Sequence, residues 1–172
     1  MKLPILLHPD PRLKKTCAAV ADISDDVRVL ADNMLETMYD APGIGLAAPQ
    51  VGVLSRLIVL DCESGEDASP RPIVMFNPEI LASSDETNVY EEGCLSLPDQ
   101  FADVTRPKAV KVAWLDRDGN PQEAEFDGLW ATCLQHEIDH LNGKLFIDHL
   151  KPLKRQMITR KMVKMKRELA RA

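Results

Sequence analysis

What this chain lacks narrows it first. No stretch approaches the ~18 consecutive apolar residues of a spanning helix. The opening Met1-Lys2-Leu3-Pro4-Ile5-Leu6-Leu7-His8 is too short an apolar run for a signal peptide. A cytoplasmic address, away from the membrane, is therefore the expectation. Cys17, Cys62, Cys94 and Cys133 share no CxxC spacing. A disulfide framework is not expected, and each cysteine is either a small core residue or a thiolate with a task. No internal repeat or low-complexity tract interrupts the 172 residues, a length that suits one domain with a substantial core. The net charge of −6 hides an asymmetry: residues 151–172 carry +8 and the first 150 carry −14. An acidic body with a basic tail implies two surfaces with different partners.

What is present centres on Gln135-His136-Glu137-Ile138-Asp139-His140. At about 100° per residue on a helix, His136 and His140 lie ~40° apart on one face, so both imidazoles can converge on one metal ion. Glu137 sits ~100° round from His136, too far for an obvious third ligand but near enough to take a proton from water at the metal. With 4 His in the chain, chance supplies such a motif in roughly 0.006 of shuffled sequences; its surroundings must decide. Asp127 is the expected N-cap, and Asn142-Gly143 supplies a left-handed stop. Trp130, Leu134, Ile138 and Leu141 form the stripe that anchors the helix in the core. Leu129, Thr132 and Cys133 fall on the histidine side, where they would line a small apolar pocket. Ala131, Gln135, Asp139 and Asn142 are left for a wetter face.

Taken in order, residues 1–22 carry Pro4, Pro9 and Pro11 and read as an extended arm, with His8 at its surface. Asp25 to about residue 40 reads as a helix, because Val27, Leu30, Met34, Leu35 and Met38 repeat at helical spacing behind two first-turn acids. Gly43-Ile44-Gly45-Leu46-Ala47-Ala48-Pro49-Gln50 resembles a dinucleotide fingerprint only superficially. It follows a helix instead of a strand, and Pro49 opposes a following helix. Its glycines allow close approach of a neighbouring strand or of a peptide-like substrate. Leu57–Leu60 reads as a strand, 63–72 as a polar loop, and Ile73–Pro78 with the residues around Ile80 as a second strand region. Residues 109–115 and 122–126 flank Asp118-Gly119-Asn120 as a hairpin. Between these regions, Gly93 and Pro98 bracket Cys94 in a tight, non-helical turn, where the thiol is either structural or a metal ligand. Leu153, Met157, Ile158, Met162, Met165 and Leu169 lie among the basic residues of the tail and indicate a basic helix at about 152–170. The expected fold class is α+β: mostly antiparallel β-sheets packed around a central metal-binding helix, with an N-terminal and a C-terminal helix.

Three stretches in this order, Gly43-Ile44-Gly45-Leu46-Ala47-Ala48-Pro49-Gln50, Glu92-Gly93-Cys94-Leu95-Ser96 and Gln135-His136-Glu137-Ile138-Asp139-His140, resemble the signature motifs of peptide deformylases. The likeness spans the chain, including His8-Pro9-Asp10-Pro11-Arg12-Leu13. It implies a single catalytic domain over residues 1–172 that removes the formyl group from N-formylmethionine on newly made proteins. By that resemblance Cys94, His136 and His140 hold the metal, Glu137 is the acid-base group, and the Leu95 N–H and Gln50 carboxamide stabilise the oxyanion. Gly43, Ile44, Gly45, Gly93, Leu129 and Cys133 would bind the methionyl peptide. Ferrous iron is the metal the family implies, with zinc or nickel as alternatives; the ligand types alone would favour zinc. The basic helix would bind the ribosome. The chain departs from many members at Phe101, where they carry a basic residue.

Two rivals remain open at this point. A metallopeptidase could use the same helix motif. A non-catalytic domain with a structural zinc site would need a fourth ligand from Cys17, Cys62, Cys133, His8 or His149.

Overall fold

A computed structural model describes residues 1–63 and 68–172. Helix α1 (Asp25–Asp40) is followed by strands β1 (Gly45–Ala47), β2 (Leu57–Leu60), β3 (Ile73–Ser83), β4 (Thr87–Cys94), β5 (Leu97–Pro107), β6 (Ala109–Leu115) and β7 (Pro121–Asp127). Helices α2 (Gly128–Leu141) and α3 (Pro152–Arg171) complete the chain. A five-stranded sheet runs β1-β2-β3-β6-β7, and β4 and β5 form a separate two-stranded sheet. Every strand pairing is antiparallel, so the fold is α+β as the alternation of helix and hairpin signals implied. Of the loop expected over 63–72, residues 64–67 lie outside the described residues.

The elements follow from local chemistry. The apolar stripe of α1 buries Ala31, Met34 and Met38 against Leu46, Leu57, Val59 and Phe76 of the five-stranded sheet, while Asp25 and Asp26 oppose the positive helix end. Strand β3 is continuous through Pro78, with register shifts on either side of Glu79. Asn77 adopts a positive φ of 53° there, and a bulge is where a strand tolerates proline. Helix α2 is capped by position at Asp127, without a side-chain hydrogen bond. It stops at Gly143, whose φ of 74° and close approach to the Lys14 carbonyl both exclude a side chain.

Helix α2 packs Ala131, Leu134, Ile138 and Leu141 onto Ile58, Leu60, Met75, Val110 and Val112, and it touches strands of both sheets. The expected wet face is smaller than the periodicity indicates. Ala131 and Gln135 are buried, with Gln135 donating to the carbonyls of Pro107 and Ala131 at 3.0 Å. Helix α3 closes a second core, placing Ile158 and Met162 against Leu13, Leu97, Val104 and Phe146.

The strands β4 and β5 have no counterpart in the periodicity, from which only a tight, non-helical turn around Cys94 is expected between the two β regions. Strand β5 does alternate, but two of its inward positions are Gln100 and Arg106. A polar inward residue makes a period-2 pattern look like surface.

The arm also differs from expectation. Pro11–Lys14 forms a 3-10 turn with proline at its start, where the missing N–H costs nothing. His8 is 3% exposed rather than a surface residue, with Nε2 at 2.9 Å from the Thr159 hydroxyl of α3. Burial, reinforced by Lys14 and Lys166 and opposed by Asp148, pushes its pKa down to about 4. Its neutral form therefore belongs to the folded state. The stability it contributes is complete above the unfolded value of ~6.5 and is lost as pH falls from there through 4. Urea unfolding should show the wild type losing up to ~3 kcal/mol more than His8→Gln between pH ~7 and ~4; equal losses would contradict a buried neutral imidazole.

Candidate metal centre

One turn of α2 separates His136 from His140, and their rings stand 5.1 Å apart, inclined by 67°. Cys94 ends β4 at a register shift just past Glu92, and this irregularity turns its sulfur toward the helix. Sγ lies 3.4 Å from His140 Nε2. One donor atom each from Cys94, His136 and His140 falls within 4.8 Å of the other two. No other such group of metal-ligating side chains occurs among the described residues. Cys17, Cys62, Cys133, His8 and His149 do not join it, so a closed four-ligand site is not formed there.

The donor set fits a metal ion on several independent grounds. A thiol and two imidazoles are borderline-soft ligands. His136 donates from Nδ1 to Glu92 Oε1 at 2.9 Å, which leaves Nε2 as the ring's free lone pair. Glu137 Oε1, 4.0 Å from the site-facing His140 Nε2, is buried with no hydrogen-bond partner among the described residues, a condition that native structures rarely tolerate without an occupant. Burial and the neighbouring His136 hold the His140 imidazole well below its ordinary pKa, as a metal ligand requires. Burial chiefly pushes the Glu137 carboxyl up to about 7.

Around this centre lies a cavity of about 590 Å³. Gln50, Cys94, Leu95, His136 and Glu137 all reach its wall. So do Gly43, Ile44, Gly45, Gly93, Leu129 and Cys133, the residues expected to bind substrate. His140 sits behind the wall, 1% exposed. Gln50 is set by the 3-10 turn Ala48–Val51 that follows β1. Its Oε1 accepts from the Ala47 N–H at 3.0 Å, and its Nε2 points at Ser96 Oγ (3.0 Å) and Cys94 Sγ (3.4 Å). The carboxamide is thereby fixed with its donors toward the sulfur.

The glycines have a use that their sequence context concealed. A Cβ at Gly45 would collide with the Glu137 carboxylate, one at Gly43 would lie 2.7 Å from Leu95, and one at Gly93 would lie 2.6 Å from the Phe101 ring. Each glycine makes room for a side chain of the site itself.

Four further residues escape sequence reasoning. Arg106 grips Glu92 with two hydrogen bonds of 2.7 and 2.9 Å and reaches Asp139 at 2.8 Å. His149, a candidate fourth ligand by residue type, meets Asp139 at 2.8 Å instead. Burial alone would raise the Glu92 carboxyl, but hydrogen bonds from His136 and Arg106 hold it below the usual carboxylate value. Glu92 stands inside the cysteine motif, yet Glu91-Glu92 reads as solvated acid. Arg106 offers no signal because β5 itself is invisible to periodicity.

An α+β chain that brings one thiol, two imidazoles and an unpartnered carboxylate to a single cavity has the makings of a mononuclear metal-dependent hydrolase. Comparison with known proteins sharpens this. The family model described as Polypeptide deformylase matches residues 2–156. A peptide deformylase of Rhizobium meliloti is 55% identical over 161 residues, which cover 94% of this chain and 92% of that protein. The crystal structure of a Legionella pneumophila peptide deformylase superposes with a TM-score of 0.91 at 48% identity, covering 100% of this chain and 99% of the other. That of the Ehrlichia chaffeensis enzyme in complex with actinonin gives 0.92 at 39%, covering 96% and 98%. The chain belongs to the peptide deformylase family, metal-dependent enzymes that remove the N-formyl group from nascent peptides. Neither the metallopeptidase nor the non-catalytic zinc domain survives this finding.

The buried Arg106–Glu92 pair, 4% and 5% exposed, generates a prediction. Arg106→Met leaves Glu92 buried with only its His136 hydrogen bond and no guanidinium, and should cost about 3–5 kcal/mol in chemical unfolding. Glu92→Gln should weaken metal binding roughly 10–100-fold in a chelator competition; unchanged affinity would mean that the contact with His136 is incidental.

Proposed function

We propose that Cys94, His136 and His140 hold one metal ion and that Glu137 is the acid-base group of deformylation. The observation that carries this is the convergence of three donor atoms within 4.8 Å beside a buried carboxylate oxygen with no partner among the described residues. When bound, the ion polarises the formyl carbonyl and acidifies water. Ferrous iron is proposed on the family resemblance, with zinc or nickel able to occupy the same donors.

The remaining work falls to side chains of this chain. Glu137 accepts the proton of the attacking water as its oxygen adds to the formyl carbon. Negative charge then develops on the former carbonyl oxygen, where the Gln50 carboxamide and the Leu95 N–H stabilise it. As the C–N bond breaks, Glu137 delivers its proton to the departing nitrogen. The products are a free methionyl amine and formic acid, which ionises to formate in water. Burial of Glu137 suits this double duty, since a carboxyl near pH 7 both accepts and releases a proton readily. Leu129, Cys133 and Ile44 present an apolar wall for the unbranched methionine side chain, and Gly43, Gly45 and Gly93 line the same cavity with backbone against which the peptide would lie as an added strand.

Two substitutions test these roles. Glu137→Ala should keep its metal but lose at least ~10² in formate release from formyl-Met peptides. Gly45→Ala should do nearly the same without touching a functional group, because its methyl displaces the carboxylate. Anaerobic metal analysis beside a formate assay reads both, and full turnover in Glu137→Ala would overturn the assignment.

We further propose that residues 1–172 act as one catalytic domain in the cytoplasm, where nascent chains emerge, and that α3 contacts the ribosome. Arg160, Lys161, Lys164 and Arg167 are exposed along α3, which turns Ile158 and Met162 into the core. No described helix is long and apolar enough to cross a membrane. Sedimentation with ribosomes should fall steeply with salt, and Lys161, Lys164 and Arg167→Gln together should reduce the slope by about one for each phosphate that is no longer neutralised. Binding insensitive to both would remove the ribosome from the picture.

A further inference from the structure

The mouth of the cavity carries chemistry that the reaction itself does not use. Phe101 on β5 is 59% exposed, the most exposed aromatic side chain among the described residues. Its ring lies across Gly93, so β4 supports it as a fixed shelf. Glu91 and Asp99, both exposed, line the same opening, and among the described residues no Lys or Arg lines the cavity.

These groups act in one direction. The face of an aromatic ring carries negative charge density and attracts cations, and two carboxylates add full negative charge beside it. A peptide whose formyl-methionine end is held at the metal centre must leave through this opening, so its next residues pass over the shelf. We infer that the mouth is a cation-selecting subsite that favours Lys or Arg immediately after methionine and disfavours Asp or Glu. The inference rests on the deformylase reading of the cavity and adds to it the substrate range of this chain. Phe101, Glu91 and Asp99 are its specificity-determining residues.

The magnitude is modest because the groups are exposed. An exposed ion pair contributes a factor of up to ~5, and a cation over an exposed ring contributes ~2–5. Together they imply a kcat/KM about 10-fold higher for Lys than for Glu at low salt. The carboxylate share should fade as the Debye length shrinks from ~10 Å at 0.1 M salt to ~3 Å at 1 M.

The test measures formate release by the metal-loaded enzyme from formyl-Met-X-Ser and formyl-Met-Ala-X, with X as Lys, Ala or Glu. The expected order is Lys, Ala, Glu, with the Lys-to-Glu ratio falling in high salt. Glu91→Gln with Asp99→Asn should pull that ratio toward one, and Asn keeps the positive φ of 64° at position 99 tolerable. Phe101→Leu should lower the ratio, and Phe101→Arg should invert it. Using a ratio cancels any loss of active fraction in a variant. Equal rates for Lys and Glu peptides, or a ratio unmoved by these substitutions, would overturn the subsite while leaving deformylation intact. No formate from any peptide would overturn the reading of the cavity as well.

Discussion

The contact on which this architecture turns is the guanidinium of Arg106 between two carboxylates. It comes from β5, clasps Glu92 across the hairpin on β4, and reaches Asp139 on α2. Through Glu92 it fixes the ring of His136, and one residue beyond Asp139 stands His140. The small sheet and the helix are thus joined by charge at the point where they must supply donors to one centre. A lone buried charge is prohibitively costly, whereas this one is matched on both sides. Its geometry leaves little freedom in how the hairpin docks.

The donors are divided in a way that makes this docking necessary. Two imidazoles belong to a helix held by the five-stranded sheet, and the thiol belongs to a hairpin outside that sheet. Neither unit has a site without the other. Apolar contacts of Leu97, Ala102 and Val104 with Phe146, Ile158 and Met162 seat the hairpin from the opposite side, so α3 supports the centre from a distance even though its outer face is basic. Phe146 in turn stacks on His136 at 6.2 Å.

Much of this is legible in the residues. Helical periodicity locates α1, α2 and α3 to within a residue or two, because Met34 and Met38, or Leu134, Ile138 and Leu141, repeat at a spacing that nothing else explains. Strands β2, β6 and β7 announce themselves by apolar runs and by the Asp118-Gly119-Asn120 turn. The hairpin β4–β5 stays hidden because its pairing is repaid by Arg106 and Gln100 turned inward, and no propensity scale values a buried arginine without knowing its partners. His8 is misplaced for the same reason, since only the folded chain brings Thr159 of α3 to it. Gly45 is noticeable, but a glycine records only that space is needed, never what fills it.

What fills it is a carboxylate that the fold would be more comfortable without. Glu137 is 4% exposed and holds an oxygen with no partner among the described residues, an arrangement that apolar packing would improve. Breeding this chain for heat resistance alone would tend to replace Glu137 with something greasy and let Gly45 acquire a methyl. With Glu137 as the proposed acid-base group, thermal robustness and turnover pull in opposite directions at this one corner, and the hollow beside β1 marks where the compromise was struck.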